Sequence, residues 1–151
     1  MVSPSHPISI LVVDDQPHSL IALGAALARV DCDVVTASSA HDALRSVLAQ
    51  DFAVIVLDVQ MPIMDGFGVA RLIRARERSQ ATPIIFLTAH DPDGSEVQAG
   101  YRLGAVDYIF APFDPYVLRS KVTVFVEMFR EALARDAREA ESYSVAAAER
   151  R

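Results

Sequence analysis

The chain has 151 residues, a one-domain length able to bury a proper core. Its 52% apolar and 23% charged residues read as a soluble globular domain, and a net charge of −6 argues against nucleic acid as a direct partner. No apolar run approaches the length that crosses a bilayer, and residues 1–7 lack the basic start and long apolar stretch of a signal peptide. Cys32 is the one cysteine, so an internal disulfide and a cysteine metal cluster are excluded, and a reducing, cytoplasmic setting is expected. Lys121 is the one lysine among 14 Lys and Arg, and no Gly-x-x-x-x-Gly-Lys-Ser/Thr loop exists to cradle nucleotide phosphates.

Short apolar runs alternate with segments of helical period. Strand 1 is expected at about Ile8–Val13, and helix 1 at about Pro17–Arg29, with Leu20, Leu23 and Leu27 on one face and Pro17 tolerated in the first turn. Strand 2 follows at about Asp33–Ala37. Helix 2 opens at Ser38 or Ser39, both good N-caps, and should turn Ala43, Leu44, Val47 and Leu48 inward. Strand 3 is Ala53–Leu57; helix 3 is about Gly66–Ala75, burying Val69, Leu72 and Ile73. Strand 4 is Pro83–Leu87, helix 4 a short segment near Gly94–Leu103, and strand 5 Ala105–Phe110. Helix 5 starts near Asp114, an N-cap followed by Pro115. Five β-α units of this length predict one doubly wound α/β sandwich with a parallel sheet and right-handed crossovers. The composition shifts after about Leu133 to Ala, Arg, Glu and Asp, a helix-prone but core-poor tail too short for a second folded domain. The chain is therefore expected to be either a stand-alone domain or a piece of a longer protein.

Parallel strands open all their carboxyl ends into one crevice, where such sheets bind ligands. Asp14 and Asp15 end strand 1, Asp58 ends strand 3 and Thr88 ends strand 4. With strands about 4.8 Å apart, the three carboxylates converge if strand 1 neighbours strand 3. Like charges that close raise one another's pKa unless a cation intervenes. Hard oxygen donors with room for water suit Mg²⁺, and a carboxylate beside it is a candidate nucleophile toward a phosphoryl group.

These residues resemble the receiver domain of bacterial two-component response regulators. The matching stretches are Val12-Val13-Asp14-Asp15, the run from Val56 through Asp58 and Pro62 to Gly66, Phe86-Leu87-Thr88-Ala89, and Gly104 through Tyr108 to Phe113. The resemblance covers about residues 8–130, with 131–151 as a helical extension or linker. It implies a flavodoxin-like fold with strand order 2-1-3-4-5 and five flanking helices. Carried over by position, it implies Asp58 as phosphoacceptor and Asp14, Asp15, Asp58 and the backbone carbonyl of Gln60 as Mg²⁺ ligands. Thr88 and Tyr108 become a switch pair, the hydroxyl moving onto the phosphoryl group and the ring following inward. The chain departs from the family at Ala111, where a lysine normally pairs with phosphoryl oxygens. Ala111 is either native, marking a degenerate receiver, or an introduced change in an intact one. Lys121, about ten residues on and within helix 5, is not expected to replace the missing lysine.

Plainer readings stand beside these. A strand-end Asp is often only a turn former or cap. Tyr108 alone reads as core, His41 and His90 as surface or loop residues, Met61, Met64 and Met128 as gap-fillers, and Cys32 as a small, partly buried residue. Leu118, Val122, Phe125, Phe129 and Ala132 recur at helical spacing; they either pack on the sheet or serve a homodimer through helix 5 and its continuation. The leading expectation is a cytoplasmic phosphoacceptor, not itself an enzyme, served by a histidine kinase or phosphotransfer domain and touching neither nucleic acid nor membrane. The alternatives are a phosphorylation-independent interaction module, suggested by Ala111, and a phosphatase with an aspartyl nucleophile, disfavoured by Gln60 where a second Asp would stand.

Overall fold

The computed structural model describes residues 8–61, 65–89, 94–104, 107–110 and 112–150. Five strands, β1 (Ser9–Val13), β2 (Asp33–Ala37), β3 (Ile55–Asp58), β4 (Ile84–Thr88) and β5 (Asp107–Phe110), alternate with helices α1 (Pro17–Leu27), α2 (Ala40–Ala49), α3 (Gly66–Arg74), α4 (Ser95–Arg102) and α5 (Pro115–Glu149). All strand pairs are parallel and their order is β2-β1-β3-β4-β5, as expected. The positions Met64, His90, Ala105, Val106 and Ala111, each assigned a place or role from sequence, lie outside the described residues.

The central strands are buried on both sides, so they read as continuous apolar runs rather than alternating ones. Their pleat still sorts the residues. Ile10, Val12, Val54, Val56, Ile85, Leu87 and Ile109 face α1 and α5, meeting Leu23, Leu27, Leu118, Val122 and Val126. Leu11, Val13, Ile55, Leu57, Ile84, Phe86 and Tyr108 face the other way, toward α2, α3 and α4.

The caps follow local chemistry. The Ser39 hydroxyl accepts from the Asp42 amide at 3.1 Å, the Asp65 carboxylate from the Gly68 amide at 2.8 Å, and the Asp114 carboxylate from the Tyr116 amide at 2.8 Å.

Three expectations fail. Leu48 is 55% exposed and Leu72 39% exposed, because Ala43 with Val47, and Val69 with Ile73, centre the buried stripes. The neighbouring residue in each case lies about 100° around the helix and turns outward. Met128, expected to fill a gap, is 59% exposed. Of the two readings open for the α5 stripe, the packing one holds for its core: Leu118, Val122 and Val126 form a buried seam, with Phe125 and Phe129 half-buried beside it.

Beyond Leu133 every described residue of α5 is exposed, and no Gly or Pro follows Pro115 to break the helix. Cys32 is half-buried; burial, with Asp33 and Asp31 beside it, pushes its thiol up to about 11, so it stays neutral.

One polar clasp holds the edge opposite the strand carboxyl ends. Arg74, ending α3, donates to the Thr82, Gln80 and Ser79 carbonyls at 2.6, 3.0 and 3.4 Å and to the Leu103 and Gly104 carbonyls at 2.8 and 3.0 Å. It thereby ties the loop entering β4 to the turn leaving α4. Gly104 has φ +77°, a conformation that favours glycine, and a Cβ there would come within 3.1 Å of Arg74 Nε.

Candidate functional site

Strand order reverses between β1 and β3, and the site lies there. Val13 pairs with Leu57, so the residues that follow, Asp14 and Asp58, stand side by side. Carboxylate oxygens of Asp14, Asp15 and Asp58 all lie within 4.8 Å of one another. Asp14 is buried, at 7% exposed, while Asp15 and Asp58 are half-buried.

Each main carboxylate is held by the loop it begins. The Gln16 amide donates to Asp14 Oδ1 at 3.0 Å, and the Gln60 amide to Asp58 Oδ1 at 3.1 Å. The chain after Asp58 is fixed by Val59 N–H donating to the Leu87 carbonyl at 2.9 Å and Gly66 N–H to the Val59 carbonyl at 2.6 Å. Gly66 is required at this approach. A Cβ there would run into the Asp58 carbonyl oxygen and lie 2.8 Å from Val59 Cα.

Burial pushes the Asp58 carboxyl up to about 6, the Gln60 amide opposes the rise, and the charges of Asp14 and Asp15 add to it. Asp14 is raised as well, by burial first and by Asp15 in addition, against the Gln16 amide. The cluster therefore holds its negative charge at a cost that a cation would relieve. Three carboxylates and nearby backbone carbonyls are the hard donor set that Mg²⁺ takes, so the residues fit the ion that the sequence implied.

The crevice has a volume of about 230 Å³. Asp14, Asp58, Gln60 and Thr88 form its polar end; Leu23, Leu87 and Phe113 form apolar walls. Gln16 and Ser19 line it without any sequence motif announcing them, whereas Phe113 closes the last of the matching stretches. Among the described residues no lysine or arginine lines the crevice. Lys121 lies in α5 and its ammonium pairs with the Asp107 carboxylate on β5.

Thr88 is 2% exposed at the end of β4. Tyr108 does not line the crevice. It pairs in register with Phe86, which shares a face of β4 with Thr88, so Phe86 bridges the two. The Tyr108 ring is 7% exposed, 5.6 Å from Phe86 and 5.4 Å edge-on to Tyr101, and its hydroxyl donates to the Val97 carbonyl at 3.0 Å. The structure therefore gathers Asp14, Asp15, Asp58, Gln60 and Thr88 at one crevice and sets Tyr108 one residue layer behind it.

The fold and the site thus define a doubly wound parallel α/β domain with an acidic crevice at its topological switch point. The family model of the response regulator receiver domain matches residues 10–123. The alkaline phosphatase synthesis transcriptional regulatory protein PhoP of Bacillus subtilis is 38% identical over 113 residues, 75% of this chain and 46% of that protein. Chemotaxis protein CheY4 of Vibrio cholerae superposes with a TM-score of 0.73 at 29% identity, covering 78% of this chain and 98% of that one. The receiver domain of the Pseudomonas aeruginosa sensor histidine kinase PA1611, solved with magnesium in its active-site cleft, gives 0.72 at 28% identity, covering 81% and 99%. The chain belongs to the response regulator receiver domain family of two-component signal transduction. It spans about half the length of the curated relatives it matches. No helix among the described residues is long and apolar enough to cross a membrane.

Proposed function

We propose that this domain is a phosphoacceptor: Asp58 takes a phosphoryl group from the phosphohistidine of a histidine kinase or phosphotransfer domain. The observation that carries this reading is the convergence of three carboxylates with Thr88 in one crevice at the strand carboxyl ends. An Asp58 oxygen forms the new bond to phosphorus as the bond from phosphorus to the donor imidazole nitrogen breaks, leaving an acyl phosphate and a free imidazole. Asp14, Asp15, Asp58 and the Gln60 carbonyl would hold Mg²⁺, which supplies charge neutralisation on the phosphoryl oxygens. The Gln60 amide orients the nucleophilic carboxylate. Leu23, Leu87 and Phe113 wall one side of the crevice against water. The Thr88 hydroxyl donates to a phosphoryl oxygen, and Tyr108 passes the change to the α4–β5 side. The chain acts as acceptor rather than enzyme, in the cytoplasm, without touching nucleic acid itself. Self-association through α5 uses its outer side, where Val124 and Met128 are 53% and 59% exposed.

The test is phosphoryl incorporation from a small acyl phosphate donor, with and without Mg²⁺. Label should appear on the parent chain only with the metal and vanish in Asp58→Asn. Incorporation that survives Asp58→Asn removes this assignment.

A second reading is an interaction module that works without phosphorylation. It is favoured by Ala111 in place of the family lysine, together with the commitment of Lys121 to Asp107. Under it the parent chain takes up no label, and Asp58→Asn leaves partner binding unchanged.

A further inference from the structure

The switch ring sits in a seat that exists only because position 100 is glycine. Gly100 is a buried residue inside α4, where alanine would ordinarily be preferred. A Cβ built on it would overlap the Tyr108 hydroxyl and lie 2.6 Å from Tyr108 Cζ. Phe86 Cδ2 would stand 3.0 Å away on the next side. The Tyr108 ring is thus inserted against bare helix backbone, with its hydroxyl on the Val97 carbonyl three residues earlier in the same helix.

We infer that Gly100 is a positioning residue: it is the seat of the Tyr108 phenol, and it decides whether that ring can stand inward beneath α4. The shape fit is specific to one partner. Phe86 needs to yield only a few tenths of an ångström to a new methyl group, but the phenol would have to leave. Any side chain at position 100 therefore turns Tyr108 out of the core and breaks its hydrogen bond to α4. The link from this seat to Asp58 rests on the phosphoacceptor reading; the seat itself rests on the packing.

The test uses the full chain labelled with 3-fluorotyrosine, the Tyr108 signal being assigned by its loss in Tyr108→Phe. In the parent this signal should be shielded from a soluble paramagnetic agent, and in Gly100→Ala it should become broadened like an exposed ring. Melting gives the second arm. Gly100→Ala should lower Tm by about 2 °C or more when Tyr108 is present and raise it in a Tyr108→Ala background, where only the helix preference remains. If Gly100→Ala alone fails to fold, refolding of Gly100→Ala/Tyr108→Ala supports the seat, and failure of that double variant overturns it. A Tyr108 signal still shielded in Gly100→Ala, or the same sign of Tm change in both backgrounds, also overturns it. Phosphoryl uptake at Asp58 should persist in Gly100→Ala, because the seat lies outside the crevice. A parent chain that takes up no label while its Tyr108 signal follows position 100 defeats the phosphoacceptor reading and upholds the seat.

Discussion

Asp58 carries a carboxyl pushed up to about 6 from an ordinary 3.8, so the folded chain binds that proton more tightly than the unfolded chain does. Stability from this group is present below the unfolded value and is lost as pH rises from about 4 to about 6. Asp58→Asn should therefore stabilise the metal-free domain at pH 7, by about 1–2 kcal/mol once solvent screening of a half-buried group is allowed for. The gain should shrink at pH 5; urea denaturation at the two pH values measures it, and an equal gain at both would contradict the assigned shift. Gly66 makes a separate claim at this scale. Gly66→Ala should destabilise by about 1–3 kcal/mol through the Asp58 carbonyl it would strike, and should weaken phosphoryl uptake besides, as labelling would show. Arg74 satisfies carbonyls in two loops at once, which an ammonium on a single stem cannot do. Arg74→Lys should thus destabilise nearly as much as Arg74→Ala, about 2–3 kcal/mol by chemical denaturation.

At the scale of elements, α5 is where the sequence is most ambiguous. Its buried seam and its exposed line of Val117, Val124 and Met128 both recur at helical spacing, and only the packing tells which one meets the sheet. With the seam committed to the core, any self-association through α5 must use the exposed line and the continuation. Light scattering should give a concentration-dependent mass above the monomer for the full chain and a monomer for a chain ending near Phe129. Identical monomer masses for both would leave the outer side simply solvated. Elsewhere the local code was explicit. Asp33–Ala37 and the caps at Ser39 and Asp114 follow from residue type alone, because turn chemistry and capping act over a few neighbours. Burial of Leu48 and Leu72 did not follow, since a one-residue step turns a helical side chain from core to solvent and composition does not fix that phase. The acidic end of the site was legible because parallel strands carry their last residues to a common edge. The apolar walls and the Gly100 seat were not, because they depend on which ring lies opposite which backbone.

For the molecule as a whole, a metal that binds only the folded crevice should raise stability by mass action. Mg²⁺ at about 100 times its Kd should add about 2.7 kcal/mol, seen as a rise in Tm, and the rise should vanish in Asp15→Asn. Persistence of the rise in that variant would move the metal elsewhere. The 35 residues of α5 form one helix from the Asp114 cap to Glu149, about 50 Å of unbroken rod whose first turns are part of the core. Such a rod fixes an azimuth as well as a distance. Deleting one residue beyond Leu133 turns everything distal to it by about 100° about the helix axis, whereas deleting seven brings it back to within about 20°. A surface on the far end of α5 thus keeps a fixed bearing relative to the crevice, and that bearing is set by residue count.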